Sequence, residues 1–511
     1  MSTAALSGRG FGPAVAGLVL AAVATSLLAT WHGPGVTADS VNYLRMARDL
    51  LEGRPLAGVG GHALTVFPPG YPALLALGDA LGAAPVTAAR WIAAASWGVT
   101  VVATAGALRR RSAGHPGVVL AGAAAVLVAP AVSSVMSMAW SEAPFVAVVA
   151  VFLMLADRCR ARGRATRADL VQLVLLVWAA WLLRYAGVVL LPVGMVALWP
   201  RRGDVGRFAL AALLVPVLWS VRNLTSDGSL MGPRNPSSAT LRGDLADVVS
   251  TATRWLSPTP VAGAVILLAG AALIVLARPA DGAELTEGDP RRRPGAHELV
   301  VWITFVAMFV GLTIGSHLST QLDALGDRLL VPVFAPTVVL IGSGTARLLD
   351  RHPSRARAAR VLGVAAAAWV AVCLVVAVGG LRAGWDRGPS HLERRFGGSE
   401  LVGWTEQLPD DVPVLSNQSE ALAYLSGREV VTDPPASSPY GWTRPDPTGE
   451  RLVEALRCEG PSQLVWFDDS PEHFLAPERL PASVLRTPIL TTRDGHVERL
   501  ELADASTGGG P

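Results

Sequence analysis

Long apolar runs fill most of the first 380 residues of the chain and alternate with polar stretches. A helix that crosses a bilayer needs about 20 apolar residues, and by this criterion, with somewhat shorter runs accepted, we expect about eleven transmembrane helices. They are predicted at residues 13–30, 86–107, 117–134, 143–157, 168–183, 185–199, 206–221, 261–277, 298–314, 328–346 and 359–380. The pattern therefore predicts an all-α polytopic membrane domain over residues 1–380. The split at Arg184-Tyr185 has an alternative, a kink in one long helix.

The pattern changes beyond residue 380, where apolar runs shorten and polar residues dominate. Short β-prone runs at 412–416, 429–432, 463–467 and 497–502 alternate with helix-prone runs at 419–425 and 451–457. Strands that alternate with helices are typical of a small α/β fold. Residues 381–511 are therefore predicted to form a separate α/β domain with a disordered tail from residue 506.

The basic residues predict the orientation of the bundle. All 43 of them are arginines, and they cluster around 109–111, 158–167, 201–202, 291–293 and 347–360. These loops fall on one side if the predicted helices alternate, and basic loops accumulate in the cytoplasm. We therefore expect a multi-pass protein of the bacterial plasma membrane, with a cytoplasmic N-terminus and an extracytoplasmic C-terminal domain.

Composition agrees with a membrane protein and argues against other classes. The chain is 51% hydrophobic and only 16% charged, whereas soluble domains carry about 25% charged residues. The formal net charge of +3 is too small to indicate a nucleic-acid partner. The cysteines Cys159, Cys373 and Cys458 are far apart and lack metal-ligand spacing, so we expect neither a disulfide framework nor a zinc cluster.

Two long polar loops lie on the predicted outer side, at residues 31–85 and 222–260. In the first, residues 38–51 have the periodicity of an amphipathic helix in the plane of the membrane surface, and this helix carries Asp39 and Tyr43. A rigid Pro-Pro-Gly turn follows at 67–72, contains Tyr71, and leads into a second short helix predicted at 72–81. This turn is more typical of architecture than of chemistry.

Ionisable residues gather at the predicted outer ends of the membrane helices. Charged groups near the apolar zone are costly and are therefore functional candidates. A carboxylate at this surface can act as a base, and arginine matches phosphate oxygens in a bidentate geometry. The grouping predicts a site for an anionic lipid-phosphate substrate. Its candidate residues are Asp39, Glu142, Arg184, Tyr185, Arg222 and Arg328, together with Tyr43 and Tyr71 of the first loop.

Each charged candidate also has a purely structural interpretation. Asp39 could cap the helix that follows it, because aspartate is a favoured N-cap. Glu142 could be an acid at a helix start, where the helix dipole favours negative charge. The remaining candidates could extend their long side chains toward lipid headgroups; they are Arg184, Arg222 and Arg328.

Several segments resemble the GT-C superfamily of membrane glycosyltransferases, and more narrowly its protein O-mannosyltransferase and lipid A aminoarabinose transferase branch. Asp39, Tyr43 and the turn at 67–72 resemble the first outer loop of that family. The Ser-Glu-Ala-Pro segment at 141–144 resembles the family's acidic segment at the start of the fourth span. Residues 183–187 and 327–332 resemble two of its arginine-containing segments, and the resemblance covers roughly residues 1–380.

This resemblance implies transfer of a sugar from a polyprenyl-phosphate donor to a cell-envelope acceptor at the outer membrane face. We expect displacement by a single attack, which would invert the anomeric centre. Asp39 matches the family's catalytic carboxylate and would act as the base. Glu142 would orient the acceptor or serve as a second carboxylate, and Arg222 and Arg328 would hold the departing phosphate. Ser40 stands where many members have a second acid. No cofactor is assigned, and a divalent metal stays an open alternative.

Two other classes of function stay open. A transporter or flippase for lipid-linked sugars would place its polar residues near the bilayer midplane, whereas here they gather at one face. A non-catalytic envelope-assembly protein would not require Asp39, Glu142 and the arginines to converge. A separation of more than about 15 Å between Asp39 and the other charged candidates would favour this last class, because a base must reach the proton that it takes.

Overall fold

The computed structural model describes most of the chain. Its described residues are 11–57, 65–112, 115–199, 201–234, 236–257, 263, 299–351, 355–387, 395–428, 430–432, 448–468 and 475–503. The predicted span at 261–277 lies outside them apart from residue 263, and the predicted tail from residue 506 lies outside them entirely.

Helices form nearly all of the described chain before residue 388. They are α1 Phe11–Ala29, α2 Ala38–Leu51, α3 Gly70–Ala80, α4 Pro85–Arg111, α5 Pro116–Val128, α6 Pro130–Met136, α7 Glu142–Arg162, α8 Arg167–Leu183, α9 Leu190–Leu198, α10 Arg202–Asp227, α11 Leu241–Leu256, α12 Val300–Ser319, α13 Asp327–Leu330, α14 Phe334–Arg351 and α15 Arg355–Arg387. Two 3₁₀ turns, Tyr185–Val189 and Val331–Val333, precede α9 and α14.

Among the described residues, five helical segments are long and apolar enough to cross a membrane. They are Phe11–Ala29, Pro85–Arg111, Arg202–Asp227, Val300–Ser319 and Asp327–Asp350. The pair α5 and α6 is bent by 52° and adds a sixth if it forms one broken span. Every span predicted within the described ranges overlaps a helix, although α8 with 17 residues and α9 with 9 are shorter. The chain is thus a multi-pass membrane protein, and the count of eleven stays a prediction.

The predicted break at Arg184 is confirmed. Helix α8 ends at Leu183, and Arg184 has extended backbone with φ −153° and ψ 135°. The turn back toward α8 is so tight that a Cβ on Gly187 would lie 2.4 Å from the carbonyl carbon of Ala180. Glycine therefore permits the close approach that places Arg184 at the end of the bundle.

The core of the bundle centres on α4 and α7. Helix α4 packs against α1, α3, α5 and α7, and α7 also packs against α8 and α9. Trp97, Phe145 and Phe152 are fully buried there. The Trp97 indole donates a hydrogen bond of 3.1 Å to the Val126 carbonyl, so its polar atom is satisfied within the apolar core. This packing fixes the helix ends that carry the charged candidates.

The C-terminal part contains a five-stranded mixed sheet. Its strands are β1 Val414–Ser416, β2 Val431–Thr432, β3 Ser462–Phe467, β4 Val484–Thr491 and β5 Gly495–Leu502, in the order β2-β1-β3-β5-β4. Strand β1 runs parallel to β2 and β3, and β5 runs antiparallel to β3 and β4. The helices are α16 Glu400–Glu406, α17 Ser419–Ser426 and α18 Glu450–Glu459. The four predicted strands and two predicted helices overlap observed elements, whereas β4 was not predicted.

This sheet region rests on the first outer loop. Val36 and Val41 from that loop belong to the same buried cluster as Leu422 and Val497 of the C-terminal part. Helix α17 also packs against α2. The C-terminal part therefore lies next to the helix that carries Asp39, while the division into two domains stays a prediction.

Candidate active site

A backbone bridge aligns the segments that carry the two carboxylates. Gly35 pairs in parallel with Met138: the Gly35 N–H donates to the Ser137 carbonyl and the Ala139 N–H donates to the Gly35 carbonyl, both at 2.8 Å. Asp39 lies four residues after Gly35, and Glu142 lies four residues after Met138. The bridge thus brings the starts of α2 and α7 side by side, which no local sequence pattern reveals.

Asp39 does not cap α2. The N-cap is Thr37, whose backbone N–H donates to the Ser40 hydroxyl at 3.1 Å, and the two hydroxyls lie 3.2 Å apart. Ser40 therefore has a capping role, and the capping interpretation of Asp39 is wrong. Asp39 instead directs its carboxylate to Arg328, with which it forms an ion pair.

Arg328 joins three carboxylates. Besides Asp39, its Nε lies 2.6 Å from Glu142 Oε1 and its Nη1 lies 2.9 Å from Asp323 Oδ2. Its guanidinium also stacks on the Trp140 ring, 4.4 Å from the centroid. The Arg328 guanidinium thus has an aromatic contact on its face and carboxylate contacts along its edge, which fix its orientation. Arg328 is therefore held in place rather than extended toward headgroups.

Glu142 is buried between two arginines. Arg184 Nη1 and Arg328 Nε each lie 2.6 Å from the same oxygen, Oε1. The Glu142 side chain is 1% exposed, whereas Arg184 and Arg328 are 22% and 20% exposed and Asp39 is 18% exposed. Glu142 therefore organises the group from within, and Asp39 and the two arginines form its accessible side.

The aromatic residues of the first loop form one wall of this group. The Tyr43 hydroxyl lies 3.2 Å from the Ser141 hydroxyl, and Ser141 lies 3.4 Å from Glu142 Oε2. Tyr43 makes edge contacts with Phe67 and Tyr71, at ring-centroid distances of 4.8 and 5.1 Å. Burial raises the pKa of Tyr43, and the neighbouring carboxylates raise it further, so its hydroxyl stays protonated.

Tyr185 belongs to a separate, adjoining hydrogen-bond group. Its hydroxyl donates to the Thr65 carbonyl at 2.6 Å and accepts from Asn223 Nδ2 at 2.9 Å and from Trp219 Nε1 at 3.2 Å. Arg222 lies in this second group: it stacks on Trp219 at 5.0 Å and donates to Asn223 Oδ1 at 3.2 Å. The structure thus brings Asp39, Glu142, Arg184 and Arg328 into contact, but places Arg222 apart from them.

Arg234 is a further cation near the candidate site. It lies in the segment between α10 and α11, and its Nη2 is 3.5 Å from the Val66 carbonyl. Burial lowers its pKa, and the nearby Arg184 guanidinium lowers it further. Within the described part of the chain, Arg234 forms no salt bridge. Arg234 lies within the outer loop predicted at residues 222–260 but is not among the sequence-predicted site residues.

The C-terminal part contributes a carboxyl group to the surroundings of Asp39. Glu420, in the first turn of α17, lies 3.1 Å from the Ser419 hydroxyl. Burial raises the pKa of Glu420, and the Asp39 carboxylate adds to this increase. No local sequence pattern predicts that Glu420 lies near Asp39, because this proximity arises from the packing of α17 on α2.

In the described residues, no group of three His, Cys, Asp or Glu side chains is close enough to hold a metal ion. The positive charge next to Asp39 and Glu142 comes from the guanidinium groups of Arg328 and Arg184.

Comparison with known proteins gives matches by fold only. No family model matches the sequence. No curated protein matches it either. The structure is similar to the crystal structure of ArnT from Cupriavidus metallidurans bound to undecaprenyl phosphate, at 16% identity and a TM-score of 0.61, over 97% of this chain and 99% of that chain. It is also similar to the archaeal oligosaccharyltransferase AglB from Archaeoglobus fulgidus in complex with an inhibitory peptide and a dolichol-phosphate, at 11% identity and a TM-score of 0.54, over 90% of this chain and 70% of that chain.

The chain has the GT-C fold. The predicted resemblance to the GT-C superfamily is thereby confirmed for the architecture. In this GT-C fold, the contact network of Asp39, Glu142, Arg184 and Arg328 lies at the end of the bundle where α7 begins and α8 ends. All four residues were among the sequence-predicted candidates, and their functional roles stay predictions. The further neighbours identified only from the three-dimensional arrangement are Ser141, Trp140, Arg234 and Glu420.

Proposed function

We propose that the protein is a glycosyltransferase that moves a sugar from a polyprenyl-phosphate donor to a cell-envelope acceptor at the outer face of the bacterial plasma membrane. The observation that carries the proposal is the network in which Arg328 contacts Asp39 and Glu142, and Glu142 contacts Arg184. This network lies in a GT-C fold, and ArnT, which has a similar fold, binds undecaprenyl phosphate.

Three arginines offer positive charge to the phosphate of such a donor. Arg184 and Arg328 are each about one-fifth exposed, so their guanidinium groups are accessible from the network's open side. The Arg184 guanidinium lies close enough to Arg234 to lower the pKa of Arg234. Two neighbouring cations form a favourable site for an anion. We assign these three residues to the donor phosphate, where they stabilise the negative charge that develops on departure.

Asp39 is assigned as the base. Its carboxylate pairs with Arg328, and we expect the donor phosphate to replace it there, which frees an oxygen for the acceptor. The acceptor oxygen then attacks the anomeric carbon while its proton passes to Asp39. The bond from the anomeric carbon to the phosphate oxygen breaks, and polyprenyl phosphate departs with the electron pair. One displacement of this kind inverts the anomeric centre.

Glu142 is assigned to positioning in this scheme. It is buried and shares one oxygen between Arg184 and Arg328, so it acts on the substrate through those arginines. Tyr43 and Tyr71 are 2% and 1% exposed, and they support the first loop behind Asp39. Tyr185 and Arg222 both contact Asn223, which also donates to the Leu230 carbonyl, so we assign them to supporting the segment that carries Arg234.

The test is a transfer assay with purified full-length protein in proteoliposomes. A panel of labelled polyprenyl-phosphate hexoses and pentoses is supplied with an envelope acceptor fraction, and release of polyprenyl phosphate is measured. We expect turnover of one donor by the wild type and by Asp410→Ala, whose carboxylate is fully exposed, and loss of turnover in Asp39→Ala. Movement of an intact donor across the bilayer, or no consumption of any donor, would contradict the proposal.

A further inference from the structure

A pocket lies at the opposite end of the bundle from Asp39. It has a volume of about 370 Å³ and lies between the ends of α4, α7 and α8. Arg158 in its wall follows Glu142 by 16 residues on α7, which corresponds to about 24 Å along the helix. The pocket is therefore too distant to belong to the candidate active site.

The polar residues of this pocket are all at its outer rim. Arg110 is in the last turn of α4, Arg158 is near the end of α7, and Gln172 is near the start of α8. The apolar lining residues lie deeper: Leu155 precedes Arg158 by one turn, and Val151 precedes it by about two turns. The lining thus changes from cationic to apolar with depth, as a phospholipid does from phosphate to acyl chain.

Arginines outnumber carboxylates around the rim. Asp157 pairs with Arg111 and lies 3.8 Å from Arg110, whereas Asp169 pairs with Arg158 and lies 4.0 Å from Arg162. Four arginines thus share two aspartates, which leaves two positive charges in excess. In the described structure the Arg158 Nε is also buried without a hydrogen-bond partner. This unsatisfied donor and the charge excess both favour an anionic ligand.

The α8 side of the pocket is apolar and exposed. Leu175 lines it and is 51% exposed, and Val171 beside it on α8 is 57% exposed. Exposed apolar side chains on a membrane helix face acyl chains, because contact between apolar surface and water is unfavourable. A ligand can therefore enter sideways from the bilayer and leave its chains against α8.

We propose that this pocket binds an anionic diacyl phospholipid from the leaflet opposite the candidate active site, with its phosphate between Arg110 and Arg158. Basic pockets between membrane helices are known to suit anionic headgroups, and each basic residue near the surface contributes measurably to the attraction. The proposal is independent of the function proposed for Asp39.

The test is native mass spectrometry of the full-length protein in a non-ionic detergent, titrated with phosphatidylglycerol or phosphatidylcholine of the same acyl chains. We expect the wild type to bind phosphatidylglycerol about 10-fold more tightly, and Arg110→Gln to reduce that affinity about 5-fold without changing phosphatidylcholine binding. The matched control is Arg109→Gln, because Arg109 stacks on Phe11 and does not line the pocket.

A second variant tests the pocket without altering charge. Val151→Trp fills the apolar floor, and we expect it to abolish tight phosphatidylglycerol binding. Equal affinity of the wild type for the two lipids would overturn the proposal, as would an equal loss in Arg109→Gln and Arg110→Gln. Unchanged phosphatidylglycerol binding by Val151→Trp would also overturn it, since the lipid would then bind elsewhere.

Discussion

The buried carboxylate of Glu142 allows a quantitative test of the charge network. Glu142→Gln preserves shape but removes the negative charge from Oε1, which lies 2.6 Å from both Arg184 and Arg328. Arg184 then retains the Ser141 hydroxyl at 3.3 Å, while Arg328 retains Asp39 and Asp323. Breaking a buried ion pair typically costs about 3–5 kcal/mol. Because Arg328 keeps other carboxylates, we expect a loss of about 3 kcal/mol in the free energy of unfolding.

Glu52→Gln is the matched control, since it makes the same chemical change at a surface pair. Glu52 is 45% exposed and pairs with Arg54, which is 49% exposed. Exposed pairs contribute under about 1 kcal/mol. Both variants are unfolded in mixed micelles by titration with sodium dodecyl sulfate, and the transition is followed by tryptophan fluorescence. A Glu142→Gln loss no larger than that of Glu52→Gln would refute the reasoning that the buried network is stabilising.

Three further predictions concern the support of the site. Gly70→Ala should lower the free energy of unfolding by about 1–3 kcal/mol, since the added Cβ would lie 2.5 Å from the Leu182 carbonyl oxygen, whereas Gly17→Ala, which has open space, should not. Tyr185→Phe should cost about 1–3 kcal/mol by the same measurement, because the donors of two neighbours lose their acceptor. Since the folded-state pKa of Glu420 is raised, wild-type stability should fall as pH rises from about 4 through that pKa. Glu420→Gln should show a smaller fall over that range, and an unchanged pH profile would contradict the inferred burial.

Local patterns predicted the elements whose signal is contained in a short segment. Helix α2 has the predicted bounds of residues 38–51, and the break after Leu183 follows from the Arg-Tyr-Ala-Gly sequence there. Strand β4 was missed because its segment contains Arg486 and Pro488, which weaken a strand pattern. It forms at the sheet edge, where a missing N–H is tolerated, through its pairing with β5.

The composition of the site depended on contacts that sequence spacing does not encode. Asp39 and Glu142 are adjacent because of the bridge between Gly35 and Met138, which joins segments about a hundred residues apart. Arg222 and Arg234 both belong to the second outer loop region, yet Arg222 contacts Trp219 and Asn223, whereas Arg234 lies near Arg184. The sequence could therefore identify the outer arginines as a class, but not which of them join the network.

The central claim is that Asp39 takes the proton from the acceptor, and the most direct measurement compares two carboxylates on the same arginine. Asp39 and Asp323 both contact Arg328. Single-turnover transfer from a saturating polyprenyl-phosphate sugar is measured for Asp39→Asn and Asp323→Asn, together with donor binding. We expect Asp39→Asn to bind donor yet transfer about 100-fold more slowly, as for the loss of a general base, and Asp323→Asn to stay near the wild-type rate. Wild-type transfer by Asp39→Asn would contradict the account.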